Sequence, residues 1–411
     1  MTARRVPLLA ALLLLLLPAA EAAAQRLPER LRSAMRSTSA ASGAYVVNAD
    51  TGKVVFRYRH TRPRILASNT KLYTTAAALA RFGVDGRLDT EVRGAGDLTE
   101  AGVFNGNLYL VGGGDPTFGS RRFATRSYGK GGTVESLAAL LEDAGIKRVT
   151  GRIVGDESAF DSRRGGPESR FRISPYVGPL SGLAYNRGLA SETGRGYQAN
   201  PPAFAAARLD SALARRDISV RGAPRAGRTP AAARVLATVR SPTMKRLAAL
   251  TNKPSDNFFA ETLVKDLALQ ARGRGTTAGG SRIAAAFARR LGSSARLVDG
   301  SGLSRGNRAS PYRVVRLLAA MTRRDEYDAF VDSLPIAGRD GTLRDRMRTG
   351  AARRRCRAKT GTLSDVSALS GYCEARSGDI YAYSILMNGT YPTAARAIQD
   401  RMAQAIASVD R

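Results

Sequence analysis

A serine and a lysine three residues apart, Ser68 and Lys71, are a pair whose types and spacing could do chemistry. They begin an alanine-rich apolar stretch that predicts a helix, and at this spacing two side chains share one helix face. A serine hydroxyl is a weak nucleophile until a base removes its proton. A lysine can be that base only if burial or a nearby cation lowers its pKa. Because such pairs are common by chance, a solvated surface turn is the simpler interpretation of this pair alone.

Two later motifs change that interpretation. Residues 255–257, Ser-Asp-Asn, lead into a predicted amphipathic helix, and residues 359–362, Lys-Thr-Gly-Thr, lie in a stretch that alternates as a strand does. Each is weak alone, since Ser255 could merely cap its helix and the Lys-Thr-Gly run could end a hairpin. In this order, Ser-x-x-Lys, Ser-x-Asn and Lys-Thr-Gly form the set found in penicillin-recognising acyl transferases. The three motifs together predict a serine acyl-transfer site.

The sequence around the motifs resembles one family, the D-alanyl-D-alanine carboxypeptidase/endopeptidases like penicillin-binding protein 4 (peptidase family S13). The resembling stretches are residues 68–72 (Ser-Asn-Thr-Lys-Leu) with 74–78, 252–257 (Asn-Lys-Pro-Ser-Asp-Asn) with 260–261, 299–305 (Asp-Gly-Ser-Gly-Leu-Ser-Arg), 341–343 (Gly-Thr-Leu), 358–363 (Ala-Lys-Thr-Gly-Thr-Leu) and, more weakly, 114–117 (Gly-Asp-Pro-Thr). The resemblance implies a serine-peptidase core of β-lactamase type with an extra domain inserted between the first two motifs. It also implies that the substrates are peptidoglycan stem peptides and that β-lactam antibiotics are inhibitors.

Each catalytic motif side chain has a role in this interpretation. Ser68 would attack the carbonyl between two D-alanines to give an acyl-enzyme, and Lys71 would take its proton. Ser255 would pass a proton to the leaving amine, and Asn257 would hold Lys71 and the substrate amide. Lys359 would help to lower the pKa of Lys71 by like-charge repulsion.

The third motif is also predicted to bind substrate. Lys359 with the hydroxyls of Thr360 and Thr362 suits the terminal carboxylate of the peptide, and Gly361 would let the substrate backbone lie close to the strand. The resemblance implies that backbone N–H groups of Ser68 and Thr362 hold the oxyanion. Such donors contribute about 2.7–4 kcal/mol each to transition-state stabilisation.

The pattern of elements predicts an α+β fold of the β-lactamase/serine DD-peptidase type. An antiparallel sheet built from both chain ends would be flanked by helices, with residues 25–84 and 241–411 as the core and residues 85–240 as an inserted mixed α/β domain. Ser68 and Ser255 are closer in sequence than this family leads us to expect. We therefore expect the insertion to be shortened.

Composition narrows the other possibilities. The 65 Lys and Arg residues against 34 Asp and Glu give a formal charge of +31, which in an exported protein suggests either attraction to anionic cell-envelope polymers or no specific role. No zinc-finger spacing or aromatic-interleaved RNA-binding motif supports nucleic acid as a partner. With His60 as the single histidine and two cysteines, neither a His/Cys metal site nor a histidine-based triad is expected, and no cofactor is expected.

The N-terminus predicts export. Arg4 and Arg5 precede an apolar run from Leu8 to Leu17, and three small residues end at Ala24. This is the pattern of a secretory signal peptide over residues 1–24. No later stretch is apolar enough to cross a bilayer, so we expect a periplasmic, extracellular or cell-wall-associated protein.

The two cysteines flank the third motif. If residues 354–360 and 367–375 form a hairpin about Ser364 and Asp365, Cys356 and Cys373 lie opposite each other, within disulfide range. Cys356 is three residues before Lys359 and so faces away from the cleft. Export makes a disulfide the expected state.

Two other functions remain open from the sequence. The same core could serve a β-lactamase or an esterase, although neither Glu261 nor Glu326 resembles the deacylating glutamate of the class A enzymes. The chain could also be a basic envelope-binding protein with a relic site, against which the intact motif side chains argue.

Overall fold

A computed structural model describes residues 19–410. The helices are α1 (Ala19–Arg36), α2 (Thr70–Phe82), α3 (Arg121–Tyr128), α4 (Val134–Asp143), α5 (Pro201–Ala214), α6 (Met244–Asn252), α7 (Asn257–Arg272), α8 (Thr277–Arg290), α9 (Pro311–Met321), α10 (Tyr327–Asp332) and α11 (Pro392–Ala407). The strands are β1 (Gly43–Asn48), β2 (Val54–Tyr58), β3 (Arg64–Ile65), β4 (Asp89–Leu98), β5 (Val103–Gly112), β6 (Arg148–Asp156), β7 (Ser219–Ala226), β8 (Arg234–Arg240), β9 (Arg308–Ala309), β10 (Cys356–Leu363), β11 (Val366–Glu374) and β12 (Ile380–Asn388). The predicted signal peptide lies mostly outside the described residues and stays a prediction.

The core sheet joins the two ends of the chain. Its strand order is β10-β11-β12-β1-β2, and every neighbouring pair is antiparallel. The β1–β2 hairpin turns at Gly52, whose φ of 73° favours glycine. The predicted α+β class, with an antiparallel sheet from both chain ends, is confirmed.

Helices cover both faces of this sheet. Side chains alternate along β1, so that Tyr45 and Val47 pack with α2, α7 and α9 while Ala44 and Val46 pack with α1 and α11. Leu27, Leu31 and Met35 form a buried stripe at helical spacing on α1. This stripe packs α1 against the core sheet.

A second sheet is built from residues 89–240. Its order is β7-β6-β5-β4-β8; β5, β6 and β7 run parallel, while β4 is antiparallel to both β5 and β8. Helices α4 and α5 pack on one face of this sheet, with their buried side chains against Val92, Leu108 and Ile153. The mixed strand directions fit the α/β character expected of residues 85–240.

The predicted C-terminal hairpin forms with the expected register. Cys356 lies directly opposite Cys373, and the two are joined by a disulfide with their Cα atoms 4.0 Å apart. The pair packs in the apolar layer beneath α11, on the side away from the cleft. The disulfide prediction is therefore confirmed, and the bond fixes the strand just before Lys359.

Candidate active site

The first motif lies in a tight turn rather than in the helix proper. Residues 67–69 form a 3₁₀ turn, and α2 begins at Thr70, two residues after the predicted start. Ala67 has a φ of 46°, a conformation that non-glycine residues seldom adopt outside functional sites. Asn69 Nδ2 donates to the Lys359 carbonyl at 2.9 Å, which ties this nucleophile turn (residues 67–69) to β10.

Lys71 holds the centre of the site. Its Nζ donates to Ser68 Oγ at 3.0 Å, to Asn257 Oδ1 at 2.7 Å and to the Ser301 carbonyl at 2.7 Å. The side chain is fully buried. Burial lowers the pKa of Lys71 to about 8, although nearby carboxylates, Asp299 first among them, oppose this shift. A substantial fraction of Lys71 is therefore neutral near pH 8 and able to accept the Ser68 proton.

The second motif enters the site from the start of α7. Asp256 caps this helix by accepting from the Phe259 backbone N–H at 3.0 Å. Ser255 is therefore not the helix cap. Asp256 also forms an ion pair with Arg187 at 2.5 Å. Ser255 has a φ of 63°, and its Oγ accepts from Lys359 Nζ at 2.8 Å. The strained serine is thus aimed across the cleft at the third motif.

Lys359 is as deeply buried as Lys71. Besides Ser255 Oγ, its Nζ donates to the Thr360 carbonyl at 2.9 Å. Burial, followed by repulsion from Lys71, holds the pKa of Lys359 well below its ordinary value. The sequence led us to expect that repulsion by Lys359 lowers the pKa of Lys71; in the structure burial is the main cause.

The rest of the third motif lines the opposite wall. Thr360 Oγ1 lies 2.7 Å from Thr342 Oγ1, and Thr362 Oγ1 accepts from Arg396 at 3.2 Å. A Cβ on Gly361 would come within 2.9 Å of the Leu66 carbonyl oxygen. The close neighbour that requires glycine here is therefore the segment leading into the nucleophile turn.

Glu261 of α7 and the buried loop of residues 299–304 support Lys71 from behind. Glu261 Oε1 accepts the backbone N–H of Ser301 at 2.8 Å, and Asp299 accepts those of Gly302 and Ser304, both at 2.7 Å. These bonds fix the Ser301 carbonyl on Lys71. The sequence flagged this loop, but nothing in it revealed that a backbone oxygen would contact the lysine.

The motifs meet in one cleft of about 1010 Å³. Its lining side chains include Ser68, Ser255, Asn257, Thr360 and Thr362, together with residues that the sequence did not single out, namely Glu168, Tyr176, Asp345, Arg346 and Arg396. Lys71 and Lys359 are buried beneath these lining residues and are not themselves exposed in the cleft. His60 stacks on Tyr45, 5.1 Å between ring centroids, and does not line the cleft.

The fold and the cleft together define a class of enzyme. A serine at a helix start contacts a buried lysine of lowered pKa, and a second lysine and serine face it from the sheet edge and from α7. Lysine takes the position that histidine holds in the Ser-His-Asp hydrolases. This is the arrangement of the active-site-serine enzymes that share the penicillin-recognising motif set.

Comparison with known proteins narrows this class to one family. The family model described as D-Ala-D-Ala carboxypeptidase 3 (S13) matches residues 24–193 and 190–409. The D-alanyl-D-alanine carboxypeptidase of Actinomadura sp. (strain R39) is 30% identical over 450 residues, which span 90% of this chain and 81% of that protein. The chain belongs to the S13 family and is a serine D-Ala-D-Ala carboxypeptidase/endopeptidase.

Solved structures show the same fold. Penicillin-binding protein 4 from Haemophilus influenzae superposes with a TM-score of 0.75 at 20% identity, over 90% of this chain and 97% of that one. A penicillin G-acylated predatory endopeptidase from Bdellovibrio bacteriovorus, solved with an immunity protein, superposes with a TM-score of 0.54 at 19% identity, over 89% and 91%.

Proposed function

We propose that this enzyme cleaves the terminal D-Ala-D-Ala bond of peptidoglycan stem peptides through an acyl-enzyme on Ser68. The observation that carries the assignment is Lys71, which is fully buried, has a pKa lowered to about 8 and lies 3.0 Å from Ser68 Oγ. A base with that pKa and contact is what an unactivated serine needs at neutral pH.

The contacts assign a sequence of steps. Lys71 takes the proton as Ser68 Oγ attacks the penultimate D-alanine carbonyl, and backbone N–H groups of Ser68 and Thr362 receive the oxyanion. Ser255, which already accepts from Lys359 at 2.8 Å, gives its proton to the amine of the leaving D-alanine as the C–N bond breaks, and the proton held by Lys71 replaces it, which leaves Lys71 neutral again. Water then attacks the ester and gives one proton to Lys71, which passes it to Ser68 Oγ as the ester C–O bond breaks and the shortened peptide leaves. Asn257 orients Lys71 throughout, at 2.7 Å.

The cleft favours a peptidase over a β-lactamase. Glu261 is buried on α7 and does not line the cleft. Glu168 does line it, but both of its carboxylate oxygens are shielded from solvent. Among the described residues, the cleft therefore presents no solvent-exposed glutamate oxygen that could activate a water on an ester of Ser68. We therefore propose that β-lactams acylate Ser68 and leave slowly; the Bdellovibrio bacteriovorus endopeptidase has itself been solved in a penicillin G-acylated form.

Product analysis tests the function. We expect the purified enzyme to release free D-alanine from a stem pentapeptide and to lose this activity after stoichiometric penicillin, with one adduct located on Ser68 by mass spectrometry. A crosslinked peptide dimer in parallel measures endopeptidase activity. Rapid return of activity, together with hydrolysed penicillin, would instead establish the β-lactamase alternative. Failure both to release D-alanine from the pentapeptide and to cleave the crosslinked dimer would refute both peptidase activities.

We also propose the division into a core of residues 25–84 and 241–411 and a shortened insertion of residues 85–240. The separate second sheet supports the boundaries. The break in the family match at residues 190–193 supports a deletion there. The insertion reaches the site, since the Tyr176 carbonyl accepts from Asn257 at 3.1 Å and Arg187 pairs with Asp256.

Export to the cell envelope is part of the proposal. No helix within residues 19–410 is long and apolar enough to span a membrane. The disulfide between Cys356 and Cys373 is typical of oxidising compartments. The peptidoglycan substrate lies outside the cytoplasmic membrane, which fits the signal-peptide pattern.

We further propose that anionic envelope polymers bind the open face of the second sheet. Arg148 and Arg152 of β6 alternate with Val149 and so point away from α4 and α5, and Arg225 of edge strand β7 lies opposite Val154 on the same face as these arginines. Arg148 and Arg152 are about 13 Å apart along β6, and Arg225 lies on the neighbouring strand, about 4.8 Å away. This open-face patch of three arginines suits a chain of regularly spaced phosphates.

Polyphosphate binding tests this surface. Replacing the three open-face arginines by glutamine should weaken binding at low salt by more than about tenfold and flatten its salt dependence. The matched control replaces three exposed arginines elsewhere, at positions 282, 289 and 296. Equal losses in the two variants would show that binding follows the net charge and not this face.

A further inference from the structure

Arg396 is a cation at the mouth of the cleft that the sequence did not single out. It lies near the start of α11, lines the same cleft as Ser68 and Thr360, and donates from Nη2 to Thr362 Oγ1 at 3.2 Å. Its side chain is exposed, so a ligand in the cleft can reach the guanidinium.

The acidic groups around Arg396 are engaged elsewhere. Asp400, one turn along α11, forms an ion pair with Arg346 at 2.6 Å, and Asp365 forms one with Arg305 at 2.5 Å. Within residues 19–410 no ion pair includes Arg396, and Asp345 on the cleft rim is not within pairing distance of it. The guanidinium therefore keeps its charge free for an anion.

Lys359, the cation that the sequence assigned to the terminal carboxylate of the substrate, is already engaged by other groups. Lys359 is fully buried, and its observed bonds go to Ser255 Oγ and the Thr360 carbonyl. Burial and the charge on Lys71 also favour the neutral form of Lys359 by lowering its pKa. Lys359 therefore serves Ser255, the proposed proton donor, and another cation is needed for the substrate carboxylate.

The substrate brings one anion to this end of the cleft. When Ser68 attacks the penultimate carbonyl and Ser255 faces the scissile nitrogen, the terminal D-alanine lies against the segment containing Thr360 and Thr362. Its α-carboxylate is planar and matches a guanidinium fork. A hydroxyl that already accepts from Arg396 sits beside it.

We propose that Arg396, together with Thr362, binds the free α-carboxylate of the terminal D-alanine and selects substrates that carry it. Arg396 is on this view a specificity residue that the three motifs do not contain. The inference rests on the proposed function, since it assumes that the D-Ala-D-Ala end lies in this cleft.

Arg346 holds Arg396 in place. It pairs with Asp400 and donates from Nη2 to the Arg396 carbonyl at 3.4 Å, which anchors the first turn of α11 to the loop after residues 341–343. The guanidinium is thereby presented from a helix fixed at two points.

The experiment compares an N-acylated L-Lys-D-Ala-D-Ala peptide with the same peptide ending in a carboxamide. In Arg396→Gln we expect kcat/KM to fall about 10–100-fold for the acid and to stay within about threefold for the amide, because only the acid loses a charge-assisted contact. Arg396→Lys keeps the charge but not the planar guanidinium, so its kcat/KM for the acid should lie between those of the wild type and Arg396→Gln. The control is Arg401→Gln, an exposed arginine of the same helix that lies against α1 and away from the cleft.

A second measurement separates this inference from the proposed function. The rates at which penicillin and its carboxylate methyl ester acylate Ser68 should differ less in Arg396→Gln than in the wild type. If neither peptide is hydrolysed by the wild type, the proposed function fails, and the acid-to-ester ratio still decides the role of Arg396. Equal losses for acid and amide, or an unchanged acid-to-ester ratio, would overturn the inference.

Discussion

Replacing Ser68 by alanine should lower D-alanine release about 10⁴–10⁶-fold and abolish the covalent penicillin adduct. In the proposed mechanism the Ser68 hydroxyl oxygen is the attacking atom, and loss of this nucleophile leaves only the binding and oxyanion contributions. The fold should survive, since the Ser68 side chain accepts one bond, from Lys71, and the turn is fixed by Asn69 and Thr70. Mass spectrometry after labelled penicillin and a coupled D-alanine assay measure the two effects.

The control for this variant is a serine remote from the cleft. Ser136→Ala on α4 removes a hydroxyl that bonds within the second sheet's helix layer, and it should keep activity within about twofold. Thermal unfolding of all three proteins separates lost chemistry from lost structure. Retention of the adduct in Ser68→Ala would place the nucleophile elsewhere and refute the assignment of the cleft.

The local parts of the site could be predicted from the sequence. The order of the three motifs does not depend on tertiary detail. The Cys356–Cys373 pairing followed from the hairpin turn predicted at Ser364 and Asp365, because the position of the turn sets the register of the two strands. Motif order and turn position are both properties of short stretches.

The contacts between distant segments could not be predicted in this way. The Ser301 carbonyl on Lys71 and the Arg187–Asp256 pair both depend on how loops from the insertion and from the region before β9 fold over the motifs. Backbone oxygens carry no sequence signal. Arg396 was missed because it is one of many arginines, and only its contact with Thr362 sets it apart.

The cause of the lowered lysine pKa is another such case. From the sequence, Lys359 was the available cation, so like-charge repulsion was the expected reason for a neutral Lys71. In the structure both lysines are fully buried, and desolvation outweighs every charge around them. Burial depth comes from the packing of α2 between α6, α7 and α8, which no short motif encodes.

The burial of Lys71 leads to the second prediction. Acylation of Ser68 should depend on pH, and replacing Lys71 should remove both the fast acylation and its pH dependence. The pKa of Lys71 is lowered to about 8, and as the proposed base Lys71 is active only when deprotonated. The rate of Ser68 acylation should therefore rise about tenfold per pH unit below this value and level off above it. In Lys71→Met the acylation rate should fall about 10²–10⁴-fold, and its dependence on pH should disappear. Lys71→Arg keeps a cation that cannot deprotonate, so it should be equally inactive.

A buried lysine outside the cleft provides the control for this prediction. Lys265 on α7 is also inaccessible to solvent and is paired with Asp161 at 2.5 Å, but it does not contact Ser68. Lys265→Met can lower the folded fraction, yet the folded protein should keep the same pH midpoint, because Lys71 still has its bonds to Ser68, Asn257 and Ser301. A flat profile in the wild type between pH 6 and 9, or Lys71→Arg with near-normal acylation, would show that a group other than Lys71 takes the serine proton.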